Sequence, residues 1–207
     1  MKGKRLLLIQ SVLVPLLVGV VASLITGGGM EQYENFMKPP LSPPAWLFPI
    51  VWTILYILMG ISSYLILTSN ASKEQKDRAM MLYWYQLAVN FLWPTFFFNF
   101  QWYFFSLLWL LLLWVLVLLM IFAFYKIDKR AAWLNIPYLV WLTFAAYLNS
   151  MVWWLNWKLW LWYNLCKSQC DGYSFCMAVC IEIFCDRSFL SKSIARMPKK
   201  KGRRLIC

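Results

Sequence analysis

Uninterrupted apolar stretches alternate with short polar segments along most of the chain, and the apolar stretches contain no Asp, Glu, Lys, Arg or His. Each stretch is long enough to cross a hydrocarbon core about 30 Å thick, which takes roughly 20 helical residues. Because the residues are continuously apolar and do not alternate, the pattern predicts helices and rejects a transmembrane barrel. The predicted fold class is all-α, an integral membrane bundle of five transmembrane helices at residues 6–26, 44–67, 80–98, 103–124 and 133–155.

Composition agrees with a membrane protein, because 62% of the 207 residues are hydrophobic and only 14% are charged. A soluble domain is far less apolar. The first apolar stretch is too long for the core of a signal peptide and no small-residue cleavage site follows it, so we expect a retained helix. We divide the chain into a membrane domain at residues 1–157 and a basic tail at residues 158–207.

The distribution of charge between the predicted helices indicates an orientation. Lys and Arg precede the first helix and occupy the connections after the second and the fourth. The connection at residues 27–43 carries Glu31, Glu34 and one lysine, Lys38, and the third connection has no charge. The positive-inside rule therefore places the N-terminus and the basic connections in the cytoplasm, and the C-terminus outside.

The segment after Trp157 differs in composition from the rest of the chain, since it holds ten of the twenty Lys and Arg residues and all six cysteines. Two C-x3-C pairs have a spacing that is compatible with a zinc site. Alternatively, the cysteines form disulfides or have no specific role. We predict no metal site. Its basic end could hold anionic lipid or nucleic acid by charge alone, although such ends are often only solvated. We expect membrane lipid and no nucleic acid as a partner. The cysteines are Cys166, Cys170, Cys176, Cys180, Cys185 and Cys207.

Several classes of chemistry are excluded by the residues that the predicted helices lack. Pumps and ion-coupled carriers place ionisable groups at membrane depth, and none lies there. The chain has no His, so it has no Ser–His or Cys–His nucleophile pair and lacks the commonest haem and metal ligand. We therefore expect no resident cofactor and no catalytic residues of the ordinary acid–base kind.

Aromatic and amide side chains recur at helical spacing on one face of three predicted helices. A buried amide without a partner costs several kcal/mol in hydrocarbon, so Gln86, Asn90 and Asn149 should face the bundle interior. An inner face of aromatic rings with a few polar groups suits a flat apolar ligand. The alternative is that the amides only join helices and the tryptophans only anchor them. The three faces are Trp52, Tyr56 and Gly60; Gln86, Asn90, Trp93 and Phe97; and Trp141, Ala145, Asn149 and Trp153.

Further residues are assigned to the surface of the bundle. The fourth predicted helix is apolar all round, and we expect it to contact lipid most.

Small residues recur at four-residue steps in the first helix, such as Gly19 and Ser23, and permit close helix packing. This spacing is equally consistent with packing inside one chain and with a homodimer. Tryptophans near helix ends are expected in the interfacial belt. They are Trp46, Trp84, Trp102, Trp133 and Trp157.

Three motifs together resemble one family. They are "YENFMKPPLSPPAWLFPIVWTILYILMG" at residues 33–60, "QLAVNFLWPTFFF" at 86–98 and "WLTFAAYLNSMVWWLN" at 141–156. In order and spacing they resemble the tryptophan-rich sensory protein / translocator protein family (TspO/MBR, the peripheral benzodiazepine receptor family). The resemblance covers about residues 5–157, and the tail has no counterpart in it.

The resemblance implies a five-helix protein, often dimeric, with a ligand pocket covered by the first loop. Its ligands would be porphyrins such as protoporphyrin IX, haem, sterols in animal members and benzodiazepine-type drugs. By motif, Trp52 and Trp141 match the pocket tryptophans, Asn90 a pocket amide, Ala145 a small wall residue and Tyr33 the tyrosine of the lid loop. The animal sterol motif needs Tyr and then Arg where this chain has Ser150 and Trp154, so sterol recognition by that motif is not implied.

We therefore expect a receptor or sensor for porphyrin-type and other flat apolar ligands, in the cytoplasmic membrane of a bacterium. The alternatives are a light-dependent porphyrin-degrading protein, with Trp52 and Trp141 as photochemical candidates, and a transporter of porphyrins or other small molecules. The prolines before the second helix fix the backbone and suggest a partly rigid lid. The lid is expected to include Lys38, Pro39, Pro40, Pro43 and Pro44. The expected ligand-binding residues are Tyr33, Trp52, Tyr56, Gln86, Asn90, Trp93, Trp141, Ala145 and Asn149.

Overall fold

The computed structural model describes the backbone of residues 2–27 and 41–169, and the side chains of residues 3–27, 41–155 and 157. All of its regular structure in these ranges is helical, which confirms the predicted fold class. Five long helices run back and forth along the bundle. The elements are α1 (Lys2–Thr26), α2 (Leu47–Thr68), α3 (Lys73–Pro94) with a π-helical segment (Thr95–Asn99), α4 (Tyr103–Tyr125), the short α5 (Lys129–Trp133) and α6 (Ile136–Gln169).

The start of α2 lies three residues later than the sequence predicts, at Leu47 and not at Pro44. The backbone N–H of Leu47 donates to the carbonyl of Pro44 at 3.0 Å, so Pro44 belongs to a turn that leads into the helix. Pro49 falls at the third position of α2, where a backbone N–H would have no partner in the helix anyway. The Pro49 ring therefore costs α2 no hydrogen bond.

The third helix begins earlier than its apolar stretch, at Lys73 and not at residue 80. Ser72 and Gln75 form a reciprocal capping box, which starts the helix in polar residues outside the lipid. Hydrophobicity marks only the part of a helix that lies in the membrane, so the sequence pattern missed this first part. At the other end the α-helix stops at Pro94 and continues as the π-helical segment to Asn99.

The last long helix is interrupted near its start and extends beyond the predicted end. Asp128 caps α5, and Asn135 lies in the turn before α6 begins at Ile136. The Asn135 side chain donates to Ser62 Oγ at 2.6 Å, and that hydroxyl donates to the carbonyl of Ala131 at 2.8 Å. These buried hydrogen bonds tie the start of the last helix to α2 and explain why the chain bends there. Where the sequence predicted one helix at residues 133–155, α6 continues to Gln169.

Close packing of α1 against α2 depends on Gly60. A Cβ at Gly60 would lie 2.5 Å from Val12 Cα and 2.7 Å from the carbonyl oxygen of Ser11, so the two backbones almost touch there. A Cβ at Gly19 would overlap the Tyr56 ring. Gly60 and the first-helix residue Gly19 thus serve packing within the chain, and the homodimer stays a prediction.

The bundle surface is apolar as a membrane requires. Four of the described helical stretches are long and apolar enough to span: Gly3–Thr26, Leu47–Thr68, Tyr103–Tyr125 and Lys129–Leu155. The first half of α3 is charged, and its apolar half continues through the π-helical segment. Of these four stretches the one in α1 is the least buried: 11% of its most apolar 18-residue window is buried, against 33% for α4. Within the described residues the fourth helix, although apolar all round, is thus not the most exposed stretch, and its contact with lipid stays a prediction.

Candidate ligand-binding site

The predicted site residues of α2 and α3 meet near the end of the bundle where α1 ends and α2 begins, which we call the loop end. The Asn90 side chain donates to the Tyr56 hydroxyl at 3.3 Å, and both residues are buried. The Trp52 ring lies one turn closer to the loop end, 5.6 Å from the Tyr56 ring, and remains half-buried. Aromatic surface and a hydrogen-bonded pair thus occur side by side.

A second polar pair lies one turn deeper and includes a residue that sequence reasoning missed. The Tyr138 hydroxyl donates to Gln86 Oε1 at 3.1 Å, and Gln86 Nε2 lies 3.6 Å from the sulfur of Met59. Tyr138 is also 6.0 Å from Trp52, ring centre to ring centre. Tyr138 precedes Trp141 by three residues, so extending the helical spacing of Trp141, Ala145 and Asn149 by one turn would have found it.

The two tryptophans expected to bind ligand make reciprocal contacts between α2 and α6. Trp52 of α2 packs on Tyr138 of α6, while Trp141 of α6 packs edge-on against Phe48 of α2 at 5.8 Å. Trp141 also lies 5.6 Å from Phe144. We call this set of rings the aromatic seam. Its members are Phe48, Trp52, Tyr56, Tyr138, Trp141 and Phe144.

An open groove runs along the outer side of the same two helices and encloses about 650 Å³. Trp141 is the only lining side chain with a polar atom. The rim is exposed, since Ile54 and Val140 keep 51% and 64% of their surface, whereas Leu55 keeps 3% and forms the floor. The groove is lined by Val51, Ile54, Leu55, Ile136, Pro137, Val140, Trp141 and Phe144.

The remaining predicted site residues that the structure describes are Trp93, Ala145 and Asn149. Trp93 stacks on Phe97 at 5.3 Å, and both Trp93 and Ala145 pack against the buried core. Asn149 is buried but points towards α4, because its amide and the Ser106 hydroxyl lie within 3.0 to 3.3 Å. The structure therefore brings Trp52, Tyr56 and Asn90 together and keeps Asn149 in a separate hydrogen bond.

Part of the expected site lies outside the described residues, namely Tyr33 and the lid residues Lys38, Pro39 and Pro40. Pro43 and Pro44 are described and lead into α2. The alternatives for the six cysteines also fall outside the described side chains. Within the described ranges, no group of three His, Cys, Asp or Glu residues could hold a metal ion.

All five tryptophans assigned to the interfacial belt are exposed. Trp46, Trp102 and Trp133 lie at helix ends, whereas Trp84 lies in the middle of α3 and Trp157 lies within α6, because both helices extend beyond their predicted bounds. Their exposed fractions run from 48% for Trp157 to 67% for Trp133. This exposure separates them from Trp52, Trp93 and Trp141, which are half-buried. Exposure thus divides the tryptophans as the sequence suggested, and the anchoring role of the exposed group stays a prediction.

Comparison with known proteins connects this arrangement with a family. Residues 11–155 match the family model described as TspO/MBR family. This chain belongs to the TspO/MBR family. The matched region includes three of the five long helices whole and most of α1 and α6, and it ends before the tail. The family is a five-helix membrane bundle, so α3 with its π-helical segment is the fifth span beside the four recognised by length and composition.

Individual members of the TspO/MBR family are similar over most of their own length. The Tryptophan-rich protein TspO of Chlorobaculum tepidum is 39% identical over 124 residues, which cover 60% of this chain and 78% of that protein. The Tryptophan-rich sensory protein of Cereibacter sphaeroides is 37% identical over 128 residues, 62% of this chain and 78% of that protein. The Translocator protein of Sus scrofa is 37% identical over 143 residues, 68% and 85% respectively. The chain is thus a membrane protein of the sensory and translocator kind.

Proposed function

We propose that this protein is a membrane receptor that binds porphyrin-type and other flat apolar ligands, such as protoporphyrin IX or a haem-like molecule, in a pocket inside the bundle. The aromatic seam is the observation that carries the proposal. Trp52 and Trp141 are half-buried and lie within their helices, where an interfacial anchor is a weaker explanation, so their ring faces favour contact with another flat ring.

The polar groups beside the seam support the same ligand class. The Tyr56 hydroxyl accepts a hydrogen bond from Asn90, which leaves its own hydrogen directed elsewhere. A ligand carboxylate or carbonyl could accept that hydrogen. A largely apolar site with one or two oriented polar groups is the usual composition of a small-molecule pocket. Tyr33 and the lid, with Lys38 as a cation, would cover the ligand at the loop end.

The test is a titration of the purified protein in detergent with protoporphyrin IX, followed by quenching of tryptophan fluorescence. The double variant Trp52→Phe/Trp141→Phe should bind about tenfold more weakly, which corresponds to about 1.4 kcal/mol. Trp102→Phe/Trp133→Phe is the matched control, because it removes two exposed indoles from helix ends. If the unsubstituted protein gives no saturable quenching, the receptor proposal is rejected.

Two further assays on the purified protein distinguish binding from light-dependent degradation and from transport. Under illumination, loss of the porphyrin Soret band at equal rates with and without protein would leave binding alone, whereas faster loss with protein would favour light-dependent degradation. Accumulation of labelled porphyrin in proteoliposomes above empty liposomes would favour transport. We also propose the bacterial cytoplasmic membrane as the location, since two of the relatives named above are bacterial.

A further inference from the structure

The groove between α2 and α6 opens outward along surfaces that both lie in membrane-spanning helices. Its lining side chains are hydrocarbon apart from the Trp141 indole, so they offer water almost no hydrogen-bond partner. Its volume of about 650 Å³ falls in the range of small-molecule sites. An apolar molecule dissolved in the bilayer would therefore meet a preformed recess on this side of the protein.

The floor of this groove is also a wall of the aromatic seam. Leu55 lines the groove and belongs to the same buried core as Tyr56 and Tyr138. Trp141 lines the groove and packs on Phe48 of the seam. Leu55 and Trp141 thus border the groove and also belong to the packing around the seam.

The contacts that α2 makes with the chain from α5 to α6 differ along the length of α2. At Ser62 they are buried hydrogen bonds to Ala131 and Asn135. Along the groove, from Val51 to Leu55, the facing lining side chains are apolar and join by packing alone. Separating apolar side chains into lipid leaves no polar group unpaired, so this part of the seam can open while the hydrogen bonds at Ser62 hold.

We propose that the groove is a membrane-facing entry site for the same flat apolar ligands, which pass from it between Leu55 and Trp141 to the interior. This inference rests on the proposed receptor function. The same ligands fit both places, because the groove and the seam share the Trp141 ring. A ligand that partitions into the bilayer would reach the recess without crossing the aqueous loop end.

The experiment measures ligand exchange by stopped-flow quenching with protoporphyrin IX on the full chain in lipid nanodiscs. Ile54→Phe/Val140→Phe fills the groove rim without adding a tryptophan. We expect association and dissociation rates both to fall at least about threefold, with the dissociation constant within about twofold, because a narrower passage slows both directions equally. Val140→Ala widens the rim and should accelerate both rates, which keeps the test decisive if the double variant folds poorly.

The matched control is Val115→Phe/Leu119→Phe, which enlarges two exposed residues of α4 away from the groove. The rates of this control should equal those of the unsubstituted protein. Rates that stay unchanged in the groove variants, with binding intact, would show that the groove holds only lipid acyl chains and would overturn the inference alone. A changed dissociation constant with unchanged association would make the groove part of the final site, which also overturns it. Absence of saturable binding by the unsubstituted protein would remove the receptor proposal as well.

Discussion

Gly60 sets how closely α1 approaches α2, and at that position no side chain can be accommodated. An added Cβ would meet backbone atoms of Val12 and Ser11, which cannot turn aside as a side chain can. At Gly19 the obstacle is the Tyr56 ring, which can move. Gly60 therefore governs helix packing, whereas Gly19 governs the position of Tyr56, a proposed ligand-binding residue.

Gly60→Ala should lower the stability of the folded protein by roughly 1–3 kcal/mol, because overpacking at a backbone contact forces α1 away from α2. Thermal unfolding in detergent, followed by circular dichroism, measures the effect. Gly3→Ala is the matched control, since nothing lies within 4 Å of the added Cβ. Equal melting temperatures for the two variants would contradict the close approach at Gly60.

At the scale of the helices, the hydrophobic pattern predicted which segments are helical, but not where they begin and end. The start of α3 is set by the capping box of Ser72 and Gln75, a signal that lies outside the apolar stretch. The break before α6 follows from Asn135 bonding across to Ser62, two residues far apart in sequence. Helical spacing indicated the buried amides of Gln86, Asn90 and Asn149, while the partner of each depends on how the helices pack.

The hydrogen bonds of Ser62 are expected to hold α2 to the start of the last helix. Ser62→Ala should cost about 1 kcal/mol, because it removes a donor to Ala131 and an acceptor for the Asn135 amide. Ser63→Ala is the control: Ser63 is also buried, but it donates to the carbonyl of Gly60 in its own helix. Unfolding in mixed micelles of increasing denaturing detergent compares the two. A larger loss for Ser63→Ala would mean that Ser62 does not carry this junction.

At the scale of the whole molecule, the proposed function belongs to the part of the chain that matches the TspO/MBR family. Residues Met1–Leu155 form one contact unit, and the family match ends at residue 155. All described residues of the proposed site precede this limit. The division at residue 157 was suggested by charge and cysteine content together with the extent of the family resemblance, and it remains a prediction about folding and binding.

A chain ended after Trp157 should therefore fold and bind protoporphyrin IX with a dissociation constant within about twofold of that of the full protein. The physical reason is that the truncation removes none of the seam rings and none of the buried hydrogen bonds described for α2, α3 and α4. A chain ended after Leu148 is the contrasting control, because it also removes Asn149 and leaves the buried Ser106 hydroxyl without that partner. Melting temperature and quenching titration are measured on all three chains. If the chain ended at Trp157 melts normally but binds much more weakly than the full protein, residues beyond 157 take part in binding and the division into a membrane domain and a separate tail is wrong.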